Sequence, residues 1–539
     1  MKKINLILAA LAATTSAALS SCSQGGISGK VSCDGQPVEG VCVSDGTSIV
    51  RTDARGRYKL KSDESDSLVF ITTPGGYVAK AIDEIRPGFW QWVDGDPATA
   101  EKIDFELVRE DQDDYRVVFI TDCHFTHHPK REDFRRFEES ALPVVREKAA
   151  EARERGAAVY SFNLGDFSHD LYWYDYGLNE LEAEKYLCSA GYPAMVYSLS
   201  GNHDNDAAMA GSDESNDKPS AWCYRRTWGP DRYSVNIGSD HWIFLDNIIY
   251  INSGKPRAGH KNIHGSRNYS CRFTPSQFAW LEKDLSFVDP SSRVFLCCHC
   301  PVFNDRSKSE RIDPSQLDTL DRIFSAFPHV DIFSGHSHKL RYTACEGYPR
   351  FSQYIISATS GNMWEAPLDC RNVGSDGSDQ CIMVLDSGAQ EPQLVCVDGD
   401  GVPMRLYDAN AVGRYYRTDS DMQEIKKIAP ARTFYGDAKW RNYVLANCWG
   451  MRPGDSVQML QGGRVIPMER LKADDPLFVA TYVRGKVKKN SKDHTKAELY
   501  AAKASDASSP VTVRIIREDG SVRFEKSLQR PGSFGKDYR

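Results

Sequence analysis

Five apolar runs in this sequence are each followed at once by side chains that can bind a metal or move a proton. Residues 117–120 lead into Thr121-Asp122-Cys123-His124, and residues 158–162 lead to Gly165-Asp166. Residues 194–199 precede Gly201-Asn202-His203-Asp204, residues 293–297 precede His299, and residues 330–333 precede Gly335-His336-Ser337-His338. Carboxylates and imidazoles ligate divalent cations, and an amide oxygen does so without adding charge. An imidazole also transfers protons near neutral pH, and a neighbouring carboxylate can hold its tautomer. A spacing of two puts Asp122 with His124, and His336 with His338, on one face of an extended chain. Any one of these groups alone is ordinary turn or surface chemistry. Recurrence at five strand ends is not explained that way.

The intervening sequence supplies the elements that place these groups. Helical stretches over about 131–155 and 178–189 separate the first three runs, giving strand-then-helix units. Such units argue for a parallel sheet with right-handed crossovers. The ligand types then gather along the carboxyl edge of one sheet, where open α/β sheets bind ligands. Residues 233–238 and 241–246 read as an antiparallel hairpin, and Thr274-Pro275-Ser276-Gln277 starts a helix running to about 285. Short strands between Gly/Asp/Pro turns over 27–110 read as a small β domain, closed off by the acidic stretch 110–114. From 376 the texture is again β-rich, with strands at 381–385, 394–397, 443–445, 456–460 and 511–516, and the lysine-rich 484–496 reads as a solvated loop. The 539 residues thus divide into 27–110, 111–375 and 376–539, preceded by a leader over 1–22.

A net charge of −7 disfavours a general nucleic-acid binder, so no stable nucleic-acid partner is expected. In the leader, Lys2 and Lys3 precede an apolar run over 4–19 that ends in Leu19-Ser20-Ser21-Cys22. This resembles a bacterial lipoprotein processing site. The resemblance implies cleavage before Cys22, a lipid on its sulfur, and an exported protein anchored at the periplasmic or outer-membrane surface. Fifteen cysteines are too dispersed for a disulfide scaffold. Cys33 and Cys42 flank Gly35-Gln36-Pro37, so they could bridge across a hairpin. Cys297, Cys298 and Cys300 alternate faces and cannot all reach one zinc.

At the five motifs, over about residues 115–360, the sequence resembles the calcineurin-like metallophosphoesterases. The resemblance implies an α/β fold, a four-layer metallophosphoesterase β-sandwich flanked by helices, with N-terminal and C-terminal β-sandwich-like domains. It implies two divalent or trivalent metal ions (Mn, Fe or Zn) with Asp166 between them. Asp122, His124 and His338 would complete one site, and Asn202, His299 and His336 the other. A hydroxide between the metals would attack the phosphoester substrate, with His203 as general acid and Asp204 as its orienting partner. Monoester and diester hydrolysis both fit this centre, and the oligomeric state is left open. In purple acid phosphatases a glycine and a tyrosine stand where this chain has His124 and His169, which disfavours that branch. Residues 38–41 and 52–58 resemble transthyretin-like modules. The aromatic stretch 171–176 and Asn362-Met363-Trp364 are pocket candidates, whereas His127, His128 and His169 read as surface histidines. A non-catalytic surface lipoprotein that binds phosphorylated glycan or lipid is the alternative, and the complete ligand set argues against it.

Overall fold

The computed structural model describes residues 26–62, 67–94, 100–303, 311–360, 373–397, 400–483 and 497–538. The leader with Cys22, Asn362-Met363-Trp364 and 484–496 lie outside the described residues. Among the described residues no helix is long and apolar enough to cross a membrane.

The N-terminal unit consists of two small sheets. Strand β1 (Ile27–Cys33) lies in one, while β2 (Cys42–Ser44) and β3 (Leu68–Thr72) are neighbours in the other. Cys33 therefore faces Gln36 across a tight turn, and Cys42 faces Thr72. The expected Cys33–Cys42 bridge is thus corrected, and both are free thiols. The turn closes on Asp34 and Gly35, both with positive φ, so the chain has reversed before it reaches Cys42.

The ligand-bearing strands fall into two sheets, not the single sheet expected from the alternation of strands and helices. The first sheet holds β4 (Tyr115–Ile120), β5 (Ala158–Asn163) and β6 (Met195–Ser198), with parallel pairing from β4 to β5 to β6. The second starts from an antiparallel hairpin of β7 (Arg232–Ile237) and β8 (Asp240–Leu245). It continues in parallel through β9 (Val294–Cys297) and β10 (Val330–Ser334). Both hold near-continuous apolar runs because each strand is covered on both faces. Val117 and Phe119 of β4 join an aromatic layer shared by the sheets, while Val118 and Ile120 face the helices α1 (Leu142–Glu154) and α2 (Glu180–Ser189). Across the layer Phe119 stacks on Phe333 at 4.4 Å, and Phe162 meets Trp242 edge-on at 4.9 Å. Helix α3 (Pro275–Leu285) begins with the expected capping box of Thr274 and Gln277.

Two further strands, β11 (Cys381–Asp386) and β12 (Gln393–Cys396), extend the first sheet, β11 pairing antiparallel with β4. This corrects the boundary drawn at 376, because the chain returns to the ligand-bearing sheet before entering the C-terminal unit. Cys381 and Cys396 oppose each other there with Sγ atoms 2.9 Å apart. Beyond them, two four-stranded sheets enclose a separate core that includes Val444, Met459 and Val513.

The N-terminal unit is built into the same core as the two-sheet unit. Thr72 Oγ1 lies 3.0 Å from Ser234 Oγ of β7, Phe89 packs on Tyr233 at 4.7 Å, and Trp280 Nε1 donates to Ser44 Oγ at 3.0 Å. A chain starting at Asp111 would expose several of these aromatics, each worth about 1.5–3 kcal/mol of burial. At about 2–4 °C per kcal/mol, its Tm is expected to fall by roughly 10 °C or more in thermal unfolding. An unchanged Tm would show that the two units are independent.

Candidate metal centre

The strand ends deliver their side chains through uncommon backbone geometry. Asp122, His124, Asp166, His336 and His338 all adopt positive φ, between 50° and 64°. For residues with a Cβ this is a sparsely populated region, held only where the surroundings over-determine it. The loops that carry them run side by side: Asp122 N donates to Gly165 O at 2.9 Å, His124 N to Asp166 O at 2.9 Å, and Gly335 N to His299 O at 3.0 Å. Two glycines permit this approach. A Cβ on Gly335 would lie 2.1 Å from Thr121 Oγ1, and one on Gly201 would lie 2.3 Å from Asp166 Oδ1.

The donors form two sets that meet at Asp166. In one, His338 Nε2 lies 3.1 Å from Asp122 Oδ1 and 3.0 Å from His124 Nε2, which is itself 3.7 Å from Asp166 Oδ2. In the other, His299 Nε2 lies 3.3 Å from Asp166 Oδ2 and 3.2 Å from Asn202 Oδ1, and His336 Nδ1 is 2.9 Å from that same amide oxygen. Asp122, His124, Asp166, Asn202 and His299 are buried, with His336 and His338 at the mouth. All seven sequence-predicted ligands are therefore brought together.

The arrangement fits metal ions on three counts. Asp122 Oδ1 is buried and accepts no hydrogen bond, although Oδ2 accepts from Thr121 Oγ1 at 2.8 Å and His336 N at 3.0 Å. Burial, reinforced by His299, pushes the His336 imidazole down to about 3, and burial holds His124 well below its usual range, so both offer the neutral form that ligates. Finally, burial would push His299 down, yet Asp166 outweighs it and raises the group to about 10, so the carboxylates favour positive charge at this point. The Leu164 carbonyl, 2.7 Å from His299 Nδ1, turns Nε2 toward Asp166 and Asn202.

His203 stands at the edge of both sets, its ring 4.8 Å from that of His124. Its orienting partner is not Asp204, which corrects the sequence expectation. Asp204 is fully buried and accepts from the backbone N–H groups of Asp166, Phe167, Ser168 and Gly201 at 2.7–3.1 Å. Gly201 turns the chain so sharply that the carboxylate next to His203 points into the neighbouring loop. His203 Nδ1 instead lies 2.8 Å from Asp170 Oδ1, and Arg267 Nε donates to Asp170 Oδ2 at 2.5 Å. Burial alone would raise Asp170, but Arg267 and His203 hold it well below the usual carboxylate range, so it is charged. Asp170 follows Asp166 by four residues and could have been weighed from that spacing, whereas nothing in the sequence around Arg267 marks it. His169 is also corrected: it is buried, with its ring 4.6 Å from His203 and 4.8 Å from Tyr172. His127 is exposed and stacks on Phe134, and His128 is half-buried against Tyr172 and Tyr176.

Because Asp204 holds the Asp166 loop through four amides, Asp204→Ala is expected to cost roughly 2–4 kcal/mol of stability in denaturant unfolding. A stability change below about 0.5 kcal/mol, within the range of ordinary surface substitutions, would remove this structural role.

Residues 25–110 match the profile described as the N terminal of calcineurin-like phosphoesterase, and residues 115–340 match calcineurin-like phosphoesterase. Over residues 115–340 the chain is thus similar to the calcineurin-like phosphoesterases. The phosphoesterase family is dimetal-dependent, in keeping with the donors gathered here. Among solved structures, a dimetal phosphatase from Danio rerio is 11% identical, over 53% of this chain and 99% of that one, with a TM-score of 0.31. A purple acid phosphatase from yellow lupin (Lupinus luteus) seeds is 10% identical over 67% and 68%, with a TM-score of 0.35. A 5'-nucleotidase from Candida albicans is 12% identical over 54% of each chain, with a TM-score of 0.30. A comparison with curated proteins found no match. The seven residues expected from the sequence as ligands lie between Asp122 and His338, inside the matched segment.

Proposed function

We propose that this protein hydrolyses phosphoesters with two metal ions, one held by Asp122, His124 and His338, the other by Asn202, His299 and His336, with Asp166 common to both. The observation that carries this reading is the placement of Asp166 between two donor sets, one of which contains a buried carboxylate oxygen without a hydrogen bond. When bound, such ions activate water and offset charge on the phosphoryl oxygens. The rest is done by the chain's own residues. The charged Asp170 accepts the hydrogen bond of His203 Nδ1–H, and Arg267 holds Asp170 through its other oxygen. Nε2 of His203 is then left to give a proton to the departing alkoxide. The rings of His124 and His169 flank that imidazole at 4.8 and 4.6 Å, and its backbone N–H is held by Asp166 Oδ1 at 2.7 Å.

The test is turnover by purified protein, loaded with Mn, Fe or Zn, against phosphomonoesters, phosphodiesters and pyrophosphates. Activity that is lost on chelation and restored by metal supports the reading. Metal-loaded protein that hydrolyses none of them but binds phosphorylated glycan would favour the non-catalytic alternative. The short lipoprotein motif at Cys22 supports an exported protein anchored by lipid at the cell envelope. Labelled fatty acid should enter the parent protein and be absent from Cys22→Ala.

A further inference from the structure

Residues 247–281 contain Lys255, Arg257, Lys261, Arg267 and Arg272 and not one Asp or Glu, in a chain of net charge −7. Most of this charge lies on a loop over 251–268 that is tied down beside His203 at several points. Arg267 Nη2 lies 2.8 Å from His203 Nδ1, and Arg267 N donates to Asn252 Oδ1 at 2.8 Å. His260 Nδ1 lies 3.0 Å from Asp175 Oδ2, and Lys261 N donates to Asp175 Oδ1 at 3.1 Å. His264 N donates to Ala207 O at 3.0 Å. From His260 a file of rings reaches the imidazole assigned as general acid: Tyr172 at 5.7 Å, then His169 a further 4.8 Å on, then His203 at 4.6 Å.

Arg267 and Arg272 are occupied, the first with Asp170 and the second with Glu214. Lys255, Arg257 and Lys261 are exposed and form no ion pair among the described residues. Three unpaired cations on an anchored loop make a local positive field in an otherwise acidic protein, and such a field concentrates anions. Arg267 brings the loop to the Nδ1 edge of His203, at 2.8 Å, so its charge stands beside the imidazole that would protonate the leaving group.

We propose that loop 251–268 is an anion-binding lip that selects phosphoesters whose leaving group carries a further phosphate. This rests on the hydrolase reading and deepens it. The attraction is electrostatic and exposed to solvent, so it weakens as salt shortens the screening length.

The experiment compares the parent with Lys255→Ser/Arg257→Ser/Lys261→Ser on glycerol phosphate and on fructose 1,6-bisphosphate. None of the three residues touches the donors, so turnover of glycerol phosphate is expected to change less than about twofold. The KM for the bisphosphate is expected to rise about tenfold with kcat unchanged, and the parent's preference for it should fade between about 50 and 200 mM salt. Equal effects on both substrates, or a parent with no preference, would overturn the lip. Calorimetric binding of the bisphosphate to parent and variant keeps the two readings apart. Binding lost in the variant while neither protein turns over any ester sinks the hydrolase reading and leaves the lip standing. Capture of phosphatidylglycerol vesicles that the variant loses, with bisphosphate binding unaltered, would overturn the proposal in favour of a membrane surface.

Discussion

Asp166→Asn is expected to release metal from both positions and to lower kcat/KM by about 10³-fold or more. The carboxylate lies within reach of both donor sets, 3.7 Å from His124 Nε2 and 3.3 Å from His299 Nε2. Asparagine keeps the volume and can still accept from His203 N, which Asp166 Oδ1 does at 2.7 Å. Its NH₂ group, however, would then face the imidazole nitrogens and present hydrogens where a cation must sit. Metal-ion catalysis supplies several kcal/mol of charge stabilisation, and each 1.4 kcal/mol is a factor of ten in rate. His124→Ala, by contrast, removes a donor from one set and should leave the other metal bound. Metal analysis of both purified variants, with unfolding midpoints to show that they are folded, distinguishes the two patterns. If Asp166→Asn retained both metals tightly and turned over at the parent rate, the carboxylate would not be shared.

What the sequence made legible was the order of strand ends and the donor types on them, because an apolar run followed by Asp, His or Asn is a local signal. Which sheet each strand joins is not local. The runs before His299 and His336 look like those before Asp122 and Asp166, and only the hairpin of β7 with β8 opens a second sheet for them. The same gap explains the boundary drawn at 376: β11 is an apolar run whose partner, β4, lies more than 250 residues earlier in the chain. Adjacency misled the assignment of Asp204. It follows His203 directly, but the backbone turn at Gly201 aims it at amides of the Asp166 loop, while Asp170 arrives from that loop to meet the imidazole. His169 was read as a surface group because burial depends on what packs over it, here His124, His203 and Tyr172. Arg267 had no sequence signal, since its place is set by a long loop whose path only tertiary contacts define.

Corrected in this way, the site makes a sharper statement about proton transfer. His203→Ala is expected to keep both metals, because His203 belongs to neither donor set. It should slow alkyl phosphoesters by about 10²–10⁴-fold, the usual worth of a general acid. Nitrophenyl esters should be slowed far less, because a nitrophenolate departs without a proton whereas an alkoxide does not. The structure assigns the supporting role to Asp170, buried and 2.8 Å from His203 Nδ1. Asp170→Asn should therefore reproduce the leaving-group dependence in milder form, about 10–100-fold on alkyl esters, as is typical when a group's orienting partner is lost. Asp204→Ala should lose stability without that dependence. The measurement is rate against leaving-group pKa for the parent and the three variants, with metal content determined on the same preparations. A steeper slope in His203→Ala and Asp170→Asn, with the parent's slope kept in Asp204→Ala, establishes the pair. Uniform slowing across the series, or a missing metal in His203→Ala, would instead make His203 a ligand or a clamp on the phosphoryl group.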